Sequence, residues 1–406
     1  MEERQQPRLD VGGLLAAVEN APPVAAADVV AELLTETLDA SKVAFLIADF
    51  GGEALIRLSH TGMTTTSTLG PEVAERVPIA GSAHGRVLAD QAVQVDEVGV
   101  GWRVLAPVTS RGEAIGVLEL FLADEPDAQC VADVALAAHA LAYVVIVNRR
   151  FTDLFEWGQR SVALSLAAEI QHRLLPAAYT CEAGQFSLAA WLEPAGEVAG
   201  DTFDFSLDRD TLHLSMTDAV GHSLEAALLA TLLVGALRNG RRAGMDLAAQ
   251  ARLASSGLAE HFDRAAYVTG QLVRVHLQAG TAEIVNAGHP PPLRLRDGRV
   301  TFVDLKPDPP FGIGEHEYRV QQLPLVTGDR LVFVTDGMLE RNASTVNIEA
   351  LVAQDAELHP REAVQHLIQT VVKAAGGQLK DDATVMCVDW HGGPPSLRTS
   401  RSGADA

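Results

Sequence analysis

Two short runs constrain this chain more than any other feature in it: Leu331-Val332-Phe333-Val334 and Val385-Met386-Cys387-Val388. A strand sends alternate side chains to opposite faces, so a run with no polar residue is one covered on both sides. Such strands belong inside a layered domain, and each of these two adjoins aspartates. Asp336 follows the first run, after Thr335 and before Gly337, while Asp381 and Asp382 precede the second. The surrounding pattern is a mixed α+β one. Leu212, Leu214 and Met216 alternate with His213, Ser215 and Thr217, which predicts a half-buried strand ending at Asp218. Val273, Val275 and Leu277 alternate with Arg274 and His276 in the same way. Leu224 to Leu237 is almost wholly apolar and reads as a core helix capped by Ser223. Asp246 to Phe262 reads as a second, amphipathic helix.

Asp201 adds a further acid, in Gly196-Glu197-Val198-Ala199-Gly200-Asp201-Thr202-Phe203-Asp204-Phe205. One acid at a strand end is most often a turn residue. A set of them at the ends of neighbouring strands converges at one rim, where like charges disfavour ionisation. Hard cations such as Mg²⁺ or Mn²⁺ resolve that conflict with oxygen ligands from carboxylates, carbonyls and water. Two such ions about 3.5–4 Å apart can clamp a phosphoryl group. No Cys/His cluster points to zinc, and no Ser/His/Asp triad or Cys nucleophile has a recognisable setting. His222 and His289 sit beside glycines and read as loop supports rather than general acids; Asp204 reads as structural.

The N-terminal part alternates helix and strand. Residues 1–24 are expected to be a flexible arm. Ala27 to Leu38 predicts a helix, Val43 to Ile47 and Ala54 to Leu58 a strand pair, and Trp102 to Val108 and Ala114 to Phe121 a second pair turning at Arg111-Gly112-Glu113. From 128 to 175 there is neither proline nor strand signal, which predicts one long helix whose residues 151–178 link the two halves. Val147, Phe151, Leu154 and Gly158 recur at steps of four and three, and either pair with a second chain or pack on their own domain. Residues 391–406 are Gly/Pro/Ser-rich and expected to be a disordered tail.

The net charge is −22. Such a chain repels phosphate backbones and anionic lipid surfaces, so neither nucleic acid nor membrane is an expected partner. The most apolar stretch, Val134 to Val147, falls short of the roughly 20 residues that span a bilayer. The polar start, Met1 to Gln6, and three scattered cysteines lead to the expectation of a cytoplasmic protein without a signal peptide.

Several motifs together resemble a family. Asp201 after Gly200, Asp218-Ala219-Val220-Gly221-His222, Thr335-Asp336-Gly337-Met338-Leu339-Glu340 and Asp381-Asp382-Ala383-Thr384 resemble the acidic motifs of the metal-dependent PPM-type phosphatases, in order. Glu169 to Pro176, Tyr267-Val268-Thr269 and Asn286 to Pro291 are similar to further marks of the bacterial SpoIIE/RsbU-like branch. The resemblance spans about 165–390. It implies an α-β-β-α sandwich at 179–390 and two ions, Mn²⁺ or Mg²⁺. By the family's pattern Asp218 bridges both metals with the carbonyl of Ala219 beside it, Asp336 and Asp381 hold one metal, and Asp201 positions the attacking water. Asp382, Gly221 and His222 would support these ligands, and no covalent phosphoenzyme would form. Ala199, Thr202 and Ser223 depart from the family's usual residues.

Residues 25–150 resemble a GAF sensor domain through the helix before Val43, the Gly51-Gly52 hairpin, Ala106-Pro107-Val108 and Gly116 to Leu120. That implies a domain that binds a small molecule, haem or nothing; His60, His84 and Cys130 are the candidate ligands, weighed against plain surface or core positions. The whole reads as a sensor-phosphatase, a homodimer acting on phosphoserine or phosphothreonine, with a phosphorylated anti-sigma-factor antagonist as the implied substrate. The alternative is an inactive phosphatase fold serving as a ligand-sensing binding module.

Overall fold

The computed structural model describes residues 9–60, 75–160, 165–195, 200–221, 224–262, 266–339, 346–377 and 379–394. The chain divides into two compact units, with the boundary near residue 164.

In the first unit α1 (Val11–Asn20) and α2 (Ala26–Leu38) lead into β1 (Lys42–Ala48), β2 (Ala54–His60) and β3 (Arg76–Pro78). Then come α3 (Ala83–Asp90), β4 (Gln94–Val98), β5 (Gly101–Ser110), β6 (Glu113–Leu122), α4 (Ala128–Asn148) and α5 (Leu154–Gln159). The six strands form one antiparallel sheet in the order β3-β2-β1-β6-β5-β4. Arg111 and Gly112, both at positive φ, make the expected β5–β6 turn. Phe45, Ile47, Leu58, Val104 and Leu118 cover one sheet face against Val30 and Leu34 of α2, Val134 and Leu141 of α4, and Phe155 of α5. On the other face Leu46, Leu55 and Val117 meet Val87 and Leu88 of α3.

Three expectations change here. Of the expected N-terminal arm, residues 9–24 are not loose: Leu9, Leu14 and Val18 are buried in the first core, and the i,i+4 pair Leu14/Val18 seats α1 on it. The helix expected over 128–175 is three helices. Asn148 and Thr152 turn the chain after α4, with the Thr152 hydroxyl accepting from the Leu154 amide at 3.2 Å. Short polar side chains compete for backbone groups in this way and end helices. The seam therefore splits: Val147 and Phe151 are exposed, whereas Leu154 and Gly158 turn onto the first unit's core. α4 is long and apolar enough to cross a membrane by length and composition, yet 56% of its most apolar window is buried within the protein.

The second unit opens with α6 (Leu166–Leu174), capped by Ser165, whose hydroxyl accepts from the Ala168 amide at 3.2 Å. It continues through β7 (Thr180–Glu182), β8 (Phe186–Glu193), β9 (Asp201–Leu207) and β10 (Thr211–Ala219) to α7 (Leu224–Arg242) and α8 (Leu247–His261). β11 (Val268–His276), β12 (Thr281–Ala287), β13 (Leu293–Arg296), β14 (Arg299–Phe302), β15 (Gln321–Pro324) and β16 (Asp329–Val334) follow. α9 (Ile348–Gln354), α10 (Pro360–Ala374) and β17 (Ala383–Trp390) complete it. Two antiparallel sheets result, β15-β12-β11-β10-β9 and β14-β13-β16-β17-β8-β7.

Their inner faces share one core. Phe203, Leu214, Met216, Val273 and Ile284 from the first sheet meet Phe186, Leu331, Phe333 and Met386 from the second. Outside, α7 and α8 cover Leu272, Val285 and Ala287, while α9 and α10 cover Val332, Val334, Val385 and Cys387. The expected four-layer sandwich is what forms, and the two apolar runs are strands covered on both faces. β10 is more covered than its alternation suggested, because α7 lies over its polar face and leaves Thr217 1% exposed. The chain after β17 is pinned as far as Gly393: the His391 and Gly392 amides donate to the Gln185 carbonyl, and the Gln185 side chain to that of Gly393. Of the expected tail, 395–406 lies outside the described residues.

Candidate active site

The acids gather where the two sheets end together. Asp201 opens β9 and faces Asp218 directly across the β9–β10 pair. Asp336 follows β16, and Asp381 and Asp382 lead into β17, the antiparallel partner of β16. Two close backbone approaches set this rim. A methyl group on Gly337 would lie 2.0 Å from the Asp382 carbonyl oxygen, and one on Gly200 would lie 2.6 Å from that of Ala219. Only glycine fits at either position.

Asp201 is 2% exposed, and its Oδ2 accepts hydrogen bonds from Thr384 at 2.5 Å and Thr335 at 2.7 Å. Burial, then Asp218 and Asp382, hold its carboxyl well above the usual range, while the two hydroxyls pull the other way. Asp218 is pushed up to about 7, first by burial and then by Asp336, Asp381 and Asp382. Among the described residues neither Asp201 nor Asp218 has a Lys or Arg ion-pair partner.

Asp382 plays a different part. Its Oδ1 accepts from the Ala195 amide at 2.9 Å, and its Oδ2 from the Gly200 amide at 3.2 Å and the Gln171 amide group at 2.6 Å. Burial still raises its pKa. Gln171 Nε2 also donates to the backbone carbonyl of Asp201 at 2.8 Å, so one side chain from α6 ties β9 to the turn before β17. Gln171, Thr335 and Thr384 carried no role in the sequence reading. A lone Gln or Thr shows nothing of the partner its polar group will meet; only its place beside an acidic motif was a signal.

The other candidates support this cluster or stand away from it, and none joins its carboxylates. Asp204 accepts from Arg238 at 2.9 and 3.1 Å and from Arg241 at 3.0 Å, a structural network as expected. His289 exchanges backbone hydrogen bonds with the Asn286 side chain, and its Nδ1 lies 3.0 Å from the Thr269 hydroxyl. Burial pushes its imidazole down to about 4, so it is neutral near pH 7 and supports the loop. Thr202 is buried, with its hydroxyl 2.6 Å from that of Thr217. Gly221 sits at φ 97° just beyond β10. His222, Ser223, Ala199 and Glu340 lie outside the described residues, as does the side chain of His60. In the first unit His84 bonds Glu119 at 3.1 Å and Cys130 belongs to the core.

The donor set is all oxygen and acidic, which suits hard divalent cations. Among the described residues no three ligating side chains are gathered tightly enough to enclose an ion. Asp336, Asp381 and Asp382 nonetheless converge on Asp218 and each raises it, so the chemistry of the donor set fits such cations although the side chains do not close around one.

A protein-family model described as Stage II sporulation protein E (SpoIIE) matches residues 208–391. Asp218, Asp336 and Asp381 fall within that span; Asp201 and Gln171 precede it. Phosphoserine phosphatase RsbU of Bacillus subtilis (strain 168) is 21% identical over 230 residues, 55% of this chain and 68% of RsbU. Phosphoserine phosphatase RsbP of the same organism is 23% identical over 242 residues, 56% of this chain and 57% of RsbP, so the chain spans little more than half of that relative. The crystal structure of the RsbU and RsbW domains of Rv1364c from Mycobacterium tuberculosis overlaps 53% of this chain and 62% of that one, at 27% identity and a TM-score of 0.47. Other solved structures similar to this chain include RsbX with magnesium and the PstP catalytic domain with two manganese ions, at 13% and 19% identity and TM-scores of 0.43 and 0.40. The C-terminal half is a SpoIIE/RsbU-like phosphatase domain of the PPM type, and its enzyme class is that of the protein serine phosphatases.

Proposed function

We propose that this chain, built on a SpoIIE-type serine-phosphatase domain, is a sensor-phosphatase that hydrolyses phosphoserine or phosphothreonine on an anti-sigma-factor antagonist. The observation that carries the reading is the rim of carboxylates around Asp218, which is raised to about 7 first by burial and then by Asp336, Asp381 and Asp382. The substrate class rests on the relatives' names, phosphoserine phosphatases and an RsbU domain joined to an RsbW domain.

Asp218, the Ala219 carbonyl, Asp336 and Asp381 would hold two Mn²⁺ or Mg²⁺ ions, with Asp201 beside them. When bound, such ions neutralise phosphoryl oxygens and make water a better nucleophile. The chain's own residues do the positioning. Thr335 and Thr384 fix the Asp201 carboxylate from behind. Three donors lock Asp382, and its amide in turn bonds the Asp381 carboxylate at 2.9 Å, which aims that side chain. Water is the nucleophile, and no covalent intermediate on the protein is needed.

The first unit serves as the input domain. Its six-stranded antiparallel sheet with helices on both faces supports a GAF-like reading, with a small molecule as its ligand class. Three cysteines with no disulfide among the described residues suit a reducing compartment, and we place the enzyme in the cytoplasm. The test is hydrolysis of a generic phosphate ester and of the phosphorylated antagonist, with Mn²⁺ and with excess chelator. Turnover is expected only with the cation, and Asp218→Asn should remove most of it, since a shared ligand is lost. Full activity in chelator, or in Asp218→Asn, would overturn the assignment.

A further inference from the structure

Asp201, Asp218 and Thr269 stand directly opposite one another across β9, β10 and β11, so their side chains leave the same sheet face at the rim of the site. Residues opposed in this way have Cβ atoms about 4.5–5.5 Å apart, close enough for one water to meet both the Thr269 hydroxyl and the Asp218 carboxylate. Thr335 and Thr384 are fully buried behind Asp201, whereas Thr269 is only half-buried. Among the described residues the Thr269 hydroxyl has one partner, His289 Nδ1 at 3.0 Å. Closing the loop around His289 does not require its imidazole. The Asn286 side chain accepts from the His289 amide at 2.8 Å and donates to its carbonyl at 3.0 Å, and Gln271 Nε2 donates to the Pro290 carbonyl at 2.6 Å. These bonds tie the loop to β11, two residues along from Thr269, but they use backbone atoms that almost any residue would supply. The ring is nonetheless 3% exposed, and burying a polar ring is costly unless its nitrogens are used. A neutral imidazole has one N–H and one bare nitrogen. The Val334 carbonyl raises its pKa against the larger effect of burial, as a carbonyl facing an N–H does. Nδ1 faces Thr269, so that N–H is on Nε2, although its contact falls short of a full hydrogen bond. Nδ1 is therefore the acceptor, and the Thr269 hydroxyl donates to it.

We propose that Thr269 orients the attacking water, with His289 as the positioning residue behind it. With its only proton given to His289, the hydroxyl oxygen is left as an acceptor alone. A water that donates to Thr269 keeps its oxygen lone pairs free to face the carboxylate rim, where cations and the phosphoryl group would bind. A hydroxyl that donated to this water would occupy one of those lone pairs and oppose attack. His289 thus acts by fixing the direction of a single hydrogen bond, and the Asn286 and Gln271 side chains hold its loop in place for that task. The inference rests on the phosphatase reading, in which water is the nucleophile.

The experiment has two arms, both on the full chain. In the metal-free protein labelled with nitrogen-15 histidine, proton–nitrogen spectra at pH 7 report which ring nitrogen carries the proton. The His289 signals are those missing from His289→Leu. Nε2 is expected to be protonated and Nδ1 bare, and Thr269→Val should move the Nδ1 signal. The second arm is hydrolysis of p-nitrophenyl phosphate at saturating Mn²⁺. Thr269→Val should lower kcat about three- to tenfold, with KM, the Mn²⁺ requirement and the melting temperature nearly unchanged. Thr269→Ser keeps the hydroxyl and should restore the rate. His289→Leu should lower kcat by a similar factor, and the double variant no further than Thr269→Val, because the ring acts only through that hydroxyl. If His289→Leu does not fold, His289→Asn, whose Oδ1 can still accept from Thr269, supplies the spectral assignment and should keep most of the activity. A proton on His289 Nδ1, wild-type kcat in Thr269→Val, equal defects in the serine and valine variants, or multiplied losses in the double variant would overturn this inference alone. A wild type without turnover under any divalent cation would overturn the phosphatase reading as well.

Discussion

Thr384→Val tests the active-site geometry with little change of shape. The valine keeps the volume of threonine and replaces one hydroxyl with a methyl, so it opens no cavity in a residue that is fully buried. It removes the shorter of the two donors to Asp201 Oδ2, at 2.5 Å, and leaves Thr335 at 2.7 Å. It also sets a methyl beside an oxygen that water cannot reach. A hydrogen bond to a charged group is worth about 1.5–3 kcal/mol. Each 1.4 kcal/mol is a factor of ten, so the loss should be roughly ten- to a hundredfold. That agrees with the usual effect of residues that orient metal ligands. The readout is steady-state hydrolysis of p-nitrophenyl phosphate across a Mn²⁺ titration, with thermal unfolding measured alongside. The fall should appear in turnover or in the Mn²⁺ needed, while stability drops by only about 1 kcal/mol, because a carboxyl deprived of donors can take a proton instead. Thr384→Ser keeps the hydroxyl and should recover most of the activity. Wild-type behaviour of Thr384→Val at every Mn²⁺ concentration, or equal defects in the serine and valine variants, would refute the idea that this hydroxyl holds Asp201.

Two further outcomes concern stability. Glu119 is buried, which raises its pKa, but the His84 hydrogen bond and the Arg57 charge prevail and hold it at about 2, below the ordinary 4.5. Its contribution is therefore present above pH 4.5 and lost as pH falls from there toward 2, by about 3 kcal/mol in all; Glu119→Gln should flatten the melting temperature over that window, and an unchanged slope would count against the cluster's role. Asp204→Asn takes the carboxylate from Arg238 and Arg241 and should destabilise by about 2–3 kcal/mol in denaturant titration with kcat unchanged. A fall in kcat at constant stability would instead place Asp204 in the catalytic machinery.

The layered C-terminal domain was legible because its strands advertise their surroundings. β16 has no polar side chain after Arg330, and a backbone whose side chains alternate sides can bury such a run only between two layers. The aspartates were legible for a related reason: an acid between an apolar strand and a glycine has to lie at the rim. The turn after Asn148 and the cap at Ser165 were written in short polar residues, and the lack of proline outweighed them in the reading. α1 was hidden by Gly12 and Gly13, which weaken local helix preference, although Leu14 and Val18 find a core that only the folded unit supplies.

What the sequence determined by itself was which segments are apolar on one face or both, and hence that acids stand at strand ends. What only the tertiary structure decided was who meets whom. Gln171 joins Asp382 from 211 positions away, and Thr384 joins Asp201 from 183. Such pairs leave no local trace, because a hydrogen bond depends on where two groups end up and not on what stands beside either of them in the chain. Periodicity reports a residue's side of an element. The closing of two sheets over one core determines which side chains share a rim, and the chemistry follows from that closure.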